Sequence, residues 1–191
     1  MNMNELIELY HANQRRNNNS TIPYTEHLRG VAAILISLVE LCGEVTDPQL
    51  IENMRNAALG HDLLEDTLVS EAEIVEVSNL DTLRLIQELT NPCDDEHPEA
   101  YFRQIAADSE EARLIKYADI LENTSSFCYS LHEKGIDLDR GKNVFIPILT
   151  QSTDVLAGTP FVKYPKTAEK MRNMVKVFSD LLVERIREIS A

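Results

Sequence analysis

The stretch Ala57-Ala58-Leu59-Gly60-His61-Asp62-Leu63-Leu64-Glu65-Asp66-Thr67 opens apolar, as a buried helix would, and then crowds ionisable side chains together. On an α-helix Glu65 follows His61 by one turn, and Asp66 follows Asp62 by one turn. An imidazole and three carboxylates therefore gather at one end of one helix. Burying them uncompensated costs several kcal/mol, because each ionised carboxylate loses its hydration. A divalent cation would offset that cost, and imidazole with carboxylate suits Mn, Fe or Zn. The same residues also fit a solvated acidic turn with an incidental His-Asp pair, so the rest of the chain has to decide.

Upstream, Asp47-Pro48 gives an N-cap followed by proline at the first helical position, which predicts a helix from there to about Leu64. His61 and Asp62 then fall in its last turns. Before it, residues 3–16 read as an amphipathic helix with Leu6, Ile7, Leu9 and Tyr10 on or near one face. Residues 17–23 read as a loop on turn composition. A second helix covers about 25–41 with Val31, Ala32, Ile34, Leu35 and Leu38 as its apolar positions.

Downstream, Ser70 to Glu73 is a capping box for a short helix, and residues 81–90 form another. His97-Pro98 opens the next. Asp108 to Glu111 repeats the capping-box pattern ahead of a helix carrying Ala112, Leu114, Ile115, Ala118 and Leu121. A loop near Gly135 precedes a helix over about 141–157. The last helix runs from Tyr164-Pro165 to about Ile189, with Met171, Met174, Val175, Phe178, Leu181, Leu182 and Ile186 near helical spacing. The expected architecture is all-α: one bundle of about eight or more helices forming a single domain over 1–191.

Composition sets the class. A 191-residue chain with 43% hydrophobic and 26% charged residues buries a real core. The N-terminus has no basic, apolar leader pattern, and no apolar run approaches the roughly 20 residues of a membrane span. Cys42, Cys93 and Cys128 are far apart with no C-x-x-C spacing, which fits a reducing cytoplasm rather than a disulfide framework. The formal charge of −14 repels nucleic acid and anionic membranes, so neither is an expected partner. An anionic small molecule would need a local basic lining.

Two outlying residues can join the central cluster. His27 stands early in the second helix, and taken alone reads as a helix-start histidine. Asp119 is flanked by the apolar Ala118, Ile120 and Leu121, which makes an outward place beside Lys116 the weaker reading, and Asn123 lies on the same helical face. Together the chain offers H…HD…D: His27, His61, Asp62 and Asp119. Two imidazoles and two carboxylates can hold one divalent metal and leave positions for water and substrate.

This set, in an all-helical context, resembles the HD phosphohydrolase superfamily. H-D-L-L-E-D-T is similar to the H-D-x-x-E-D-T of the RelA/SpoT-type hydrolase domain, and K-Y-A-D-I-L-E-N to its K-L-A-D-x-L-x-N. Upstream, H-A-N-Q-R-R and P-Y-T-E-H-L-R-G-V-A-A-I-L resemble its H-x-x-Q-x-R and P-Y-x-x-H-P-x-x-V-A-x-I-L. The blocks keep their order over about residues 5–157, and the final helix adds no motif. The comparison is to stand-alone members, the small alarmone hydrolases and metazoan SpoT homologues.

The resemblance implies removal of the 3′-pyrophosphate of (p)ppGpp with one bound Mn²⁺. It makes His27, His61, Asp62 and Asp119 the metal ligands and Glu65 and Asp66 the catalytic carboxylates. It assigns Arg15, Arg16, Lys116, Asn123 and Arg140 to the nucleotide site. Leu28 departs from the family's proline, Asn17 from a basic residue and Gly60 from an apolar one. The first and third read as structural; the loss at 17 bears on phosphate binding.

The chemistry holds without the family. Phosphoester hydrolysis needs an activated water, a stabiliser for phosphoryl oxygens and a proton acceptor, and a metal serves the first two. Adjacent like charges at Glu65 and Asp66 should raise the pKa of one, leaving a base and an acid. His11 and His97 read as structural or solvated, and His132 as a surface residue. Arg29 and Lys142 are further candidates for a basic mouth. Another HD phosphohydrolase acting on a nucleoside monophosphate or an NADPH-like substrate, and a non-catalytic nucleotide-binding module, remain open.

Overall fold

The structure, a computed structural model, describes residues 1–16, 19–91, 98–130, 139 and 141–190. Asn2 and Glu5 cap each other's backbone N–H groups and open α1 (Met3–Tyr10). A short strand β1 (Arg15–Arg16) pairs antiparallel with β2 (Asn19–Pro23). Helix α2 (Thr25–Cys42) ends at Gly43, whose φ of 64° is the left-handed cap that glycine adopts without a Cβ clash. Asp47 accepts from the Gln49 N–H and starts α3 (Pro48–Gly60). One further turn, α4 (Leu63–Asp66), leads to α5 (Glu71–Val77), opened by the Ser70–Glu73 box, and to α6 (Leu80–Leu89), capped by Asn79. Then come α7 (Pro98–Ala107), α8 (Glu110–Ser130), a π-helical turn over Gly141–Phe145, α9 (Ile146–Ala157) and α10 (Pro165–Ser190).

Helix α8 is the post of the bundle. Leu114, Ile115, Tyr117, Ala118, Ile120 and Leu121 are all buried, so apolar groups surround it rather than lining one stripe. It packs against α2, α6, α7 and α10. The chain entering α10 is anchored to its base: the Glu110 carboxylate accepts the N–H groups of Val162 (2.8 Å), Lys163 (2.9 Å) and Tyr164 (3.2 Å). Glu44, just beyond α2, accepts the N–H groups of Lys166 (2.9 Å) and Thr167 (2.7 Å). These otherwise unpartnered first-turn donors gain an acid at the positive end of the helix. No helix of the described residues is long and apolar enough to cross a membrane.

The expectation of an all-helical bundle holds, with four local corrections. Helix α1 stops at Tyr10 instead of reaching 16, because the chain turns at His11: Gln14 N donates to the His11 carbonyl, and His11 Nδ1 lies 2.6 Å from Gln14 Oε1. His11 is accordingly buried and structural. Residues expected as loop supply β2, whose pairing partner β1 is set by the register Arg15 opposite Pro23. Helix α3 ends at Gly60 rather than Leu64. His61 Nδ1 donates to the Ala58 carbonyl at 2.9 Å, the acceptor that a continued helix would offer to the Asp62 amide. Asp62 takes φ −98°, ψ 0°. Finally, Ser109 rather than Asp108 caps α8, its Oγ accepting from Ala112 N at 3.2 Å. Cys93, His97, His132 and Gly135 lie outside the described residues.

Gly60 stands where α3 meets its neighbours. A Cβ there would come within 2.9 Å of Ile86 Cδ1 and 3.2 Å of both Leu63 Cδ1 and Met3 Sδ. Gly60→Leu is therefore expected to cost about 1–3 kcal/mol by overpacking, read as a lower urea midpoint. An unchanged midpoint would mean that the three neighbours repack freely.

Candidate metal centre and active site

Three separate elements bring the H…HD…D residues to one point. His27 comes from the first turn of α2, His61 and Asp62 from the break after α3, and Asp119 from the middle of α8. His27 Nε2 lies 3.3 Å from Asp119 Oδ1 and 3.8 Å from Asp62 Oδ2. His61 Nε2 lies 3.2 Å from Asp62 Oδ2 and 3.8 Å from Asp119 Oδ1. One donor atom each of His27, His61 and Asp119 falls within 4.8 Å of the others, the spacing of groups that could hold a metal ion. The helix break matters here, since it turns Asp62 towards both imidazoles.

The residues fit a divalent cation. His61 Nδ1 is committed to the Ala58 carbonyl, and Nε2 is buried without a hydrogen bond of acceptable geometry. A buried ring nitrogen aimed at two carboxylates is what a metal ligand requires. The electrostatics agree. Burial pulls the His61 imidazole down, but the Asp62 and Asp119 carboxylates overcome it and raise its pKa to about 9. His27 also rises against its burial, through Asp119 and Glu122. Burial pushes Asp119 up, yet Lys116 and the two imidazoles hold it well below the usual carboxylate range, and His61 and His27 do the same for Asp62. The cluster thus favours positive charge at its centre, which protons or a divalent cation can supply.

The surrounding hydrogen bonds fix each carboxylate. Tyr24 donates its hydroxyl to Asp62 Oδ2 at 2.6 Å. Asp119 accepts Lys116 Nζ on Oδ2 at 2.8 Å and Asn123 Nδ2 on Oδ1 at 2.6 Å. Arg16, carried in by β1, donates to Glu122 Oε2 at 2.9 Å and to Asn123 Oδ1 at 3.1 Å. Arg16, Lys116 and Asn123 therefore meet beside the cluster. Arg15 does not: its guanidinium bonds the carbonyls of Ala12 and Gln14 in its own turn. Arg29 is paired with Glu8 and Glu26 on an exposed face, so it is no part of a basic mouth. Lys142 lies in the π-helical turn, and Arg140 and Asn17 are outside the described residues. Beside Lys116, Asp119 and Asn123 lies a cavity of about 100 Å³ with an apolar wall that includes Phe102, Phe145 and Leu149.

Glu65 and Asp66 stand on the rim in α4. Burial raises the pKa of Glu65, helped by Asp62 and Asp66 and opposed by a 3.1 Å bond from the Asn91 N–H. Burial and Asp62 raise Asp66 too. One carboxyl was expected to rise; both do, because both are partly buried, with the Asp62 carboxylate adding to the effect. Sequence reasoning missed Glu122, whose Oε2 accepts the Nδ1 proton of His27. Its position three residues after Asp119, on the same face of α8, was the available signal.

No family model matches the chain. Over 116 residues it is 37% identical to the guanosine-3′,5′-bis(diphosphate) 3′-pyrophosphohydrolase MESH1 of Drosophila melanogaster, covering 59% of this chain and 60% of that protein. The zebrafish (Danio rerio) protein of the same name is 35% identical over 118 residues, with the same shares. The match thus spans about 60% of the length of these curated relatives. In fold, the chain is similar to a solved metazoan ortholog of SpoT described as hydrolysing ppGpp and playing a role in starvation responses. The TM-score is 0.66 at 26% identity, over 90% of this chain and 92% of that one. The resemblance read from the motifs is thereby supported by both sequence and fold.

An ion bound only by the folded chain at about 100 times its dissociation constant adds roughly 2.7 kcal/mol of stability. Mn²⁺ added to chelator-treated protein is accordingly expected to raise the melting temperature, and His61→Ala to abolish the response. Melting that ignores both Mn²⁺ and chelator would remove the metal centre.

Proposed function

We propose that this chain, a relative of the HD-domain ppGpp 3′-pyrophosphohydrolases, is itself a metal-dependent phosphohydrolase that releases pyrophosphate from the 3′-position of a guanosine polyphosphate. The observation that carries the reading is the convergence of His27, His61 and Asp119 on one point, with Asp62 in reach and Glu65–Asp66 one turn beyond. The four converging residues would hold one divalent cation, Mn²⁺ by the resemblance. When bound, it would lower the pKa of a water and withdraw charge from phosphoryl oxygens.

The chain's own residues supply the remainder. Glu65 and Asp66, both raised, are suited to exchanging protons nearer neutrality than ordinary carboxylates. One takes the proton of the attacking water. The other returns a proton to the ribose 3′-oxygen as its bond to phosphorus breaks. Lys116 and Asn123 hold the two oxygens of Asp119 and bring a cation and an amide to the same wall. Arg16 adds a guanidinium there, in a chain whose overall charge is −14. The apolar cavity beside them suits the face of a nucleobase. Free Cys42 and Cys128 agree with a cytoplasmic setting.

One observation favours a second reading. Arg16 is already ion-paired with Glu122, and position 17 is Asn, so the phosphate-facing charge is lower than the motif alone suggests. A substrate with a single terminal phosphate, a nucleoside monophosphate or NADPH, would need less. Mn²⁺-loaded protein assayed on ppGpp, nucleoside monophosphates and NADPH separates the two. The first reading expects the highest kcat/KM on ppGpp. A higher value on a monophosphate favours the second, and turnover of none would leave a nucleotide-binding module. In either enzyme reading, Glu65→Gln and Asp66→Asn should each lower kcat by about 100-fold or more with Mn²⁺ still bound. Full activity in both would mean that neither carboxyl moves a proton.

A further inference from the structure

We propose that Glu122 is a positioning residue for the metal centre: it fixes His27 as the Nδ1-protonated tautomer, and it joins Arg16 to that ligand in one hydrogen-bonded unit. This rests on the reading of His27, His61, Asp62 and Asp119 as a metal site. The K-L-A-D-x-L-x-N pattern leaves this position open, so the glutamate is a feature of this chain and not of the motif.

The geometry is specific. His27 Nε2 faces Asp119 Oδ1 at 3.3 Å and Asp62 Oδ2 at 3.8 Å, so Nε2 is the nitrogen that can ligate. Its other nitrogen, Nδ1, contacts Glu122 Oε2. An ionised carboxylate can only accept, so the ring proton must sit on Nδ1 and the Nε2 lone pair is left for the ion. The two imidazoles differ in this respect. His61 donates to a neutral carbonyl, that of Ala58, whereas His27 donates to a carboxylate. A carboxylate acceptor makes the ring the stronger donor to a metal.

Glu122 is itself held in place. Its side chain is only 14% exposed, and a carboxylate that far from water needs a partner. Arg16, nearly buried on β1, supplies the charge at 2.9 Å on the same Oε2. Helix α2 makes the room: a Cβ at Gly30, one turn after His27, would lie 2.9 Å from Glu122 Cγ. Three elements thus meet at one carboxylate oxygen: α8 through Glu122, α2 through His27 and β1 through Arg16.

A plain structural ion pair between Arg16 and Glu122 would affect folding but not metal affinity, and this separates the two roles. The experiment titrates chelator-stripped protein with Mn²⁺ alone by calorimetry and follows metal-free melting in parallel. Glu122→Gln keeps the shape and an acceptor for the Nδ1 proton but removes the charge. It is expected to weaken Mn²⁺ binding to the folded protein about 10- to 100-fold, alongside the lower metal-free melting that an unpaired Arg16 brings; a purely structural pair would show the lower melting alone. Gly30→Ala changes no charged group and displaces Glu122; it should weaken binding in the same direction. Wild-type affinity in both variants overturns the proposal. So does a loss of affinity in Glu122→Gln that Gly30→Ala fails to share, since geometry would then be irrelevant. If Glu122→Gln does not fold, Gly30→Ala alone decides. Failure of the underlying site looks different: wild type and His61→Ala would then both bind no Mn²⁺.

Discussion

Holding two imidazoles and two carboxylates around one buried point sets the terms for the rest of the molecule. Each carboxylate would cost several kcal/mol to bury alone, and each imidazole must be told which nitrogen to protonate. The fold answers with a partner for every group. Lys116 and Asn123 restrain Asp119, Tyr24 restrains Asp62, the Ala58 carbonyl sets His61, and Glu122 sets His27. Asp119, Lys116, Glu122 and Asn123 all project from α8, whose apolar residues from Ala112 to Leu121 are buried among the neighbouring helices. Its central place in the bundle and the chemistry of the centre coincide.

The parts legible in sequence are those encoded locally. Asp47-Pro48 and Ser70–Glu73 carry their helix starts within a few residues, and the structure shows both caps as read. The converging His27, His61, Asp62 and Asp119 were legible as a set because His and Asp in an apolar helix context demand an explanation. The misses share a different cause. Strand β2 exists only because Arg15 and Arg16 return to pair with it, and turn composition does not encode a partner. Helix α3 stops early because a side chain, His61, takes a backbone acceptor, and hydrophobic periodicity is blind to that. Arg15 and Arg29 looked available for phosphate only until their own acceptors, Ala12, Gln14, Glu8 and Glu26, came into view. Glu122 was passed over because it stood between two residues with assigned roles, Asp119 and Asn123, although its spacing from Asp119 was a signal.

Charge is distributed against the average. The chain as a whole carries −14, and its surface field opposes a polyphosphate at long range. At about 0.1 M salt that field decays within roughly 10 Å, so a nucleotide that reaches the rim meets Arg16 and Lys116 rather than the bulk charge. Glu122 lowers the local positive potential by pairing with Arg16. On the proposed reading, the residue that would strengthen a metal ligand would also weaken the grip on phosphate.

The hairpin that carries Arg16 has a different standing from the helices that carry the ligands. A two-stranded ribbon is marginal by itself. Among the described residues, the bonds that tie this one down include Tyr24 N to the Gln14 carbonyl, Gln14 Nε2 to the Asp66 carbonyl, and Arg16 to Glu122 and Asn123. His27 and Asp119 ride on helices whose apolar residues belong to the core, whereas a two-stranded ribbon has no core of its own. Amide protons of β1 and β2 should thus exchange through local opening, and those of α8 only through global unfolding. Arg16 therefore keeps a faster clock than the cluster of imidazoles and carboxylates beside it, because it rides on the ribbon and they ride on the helices.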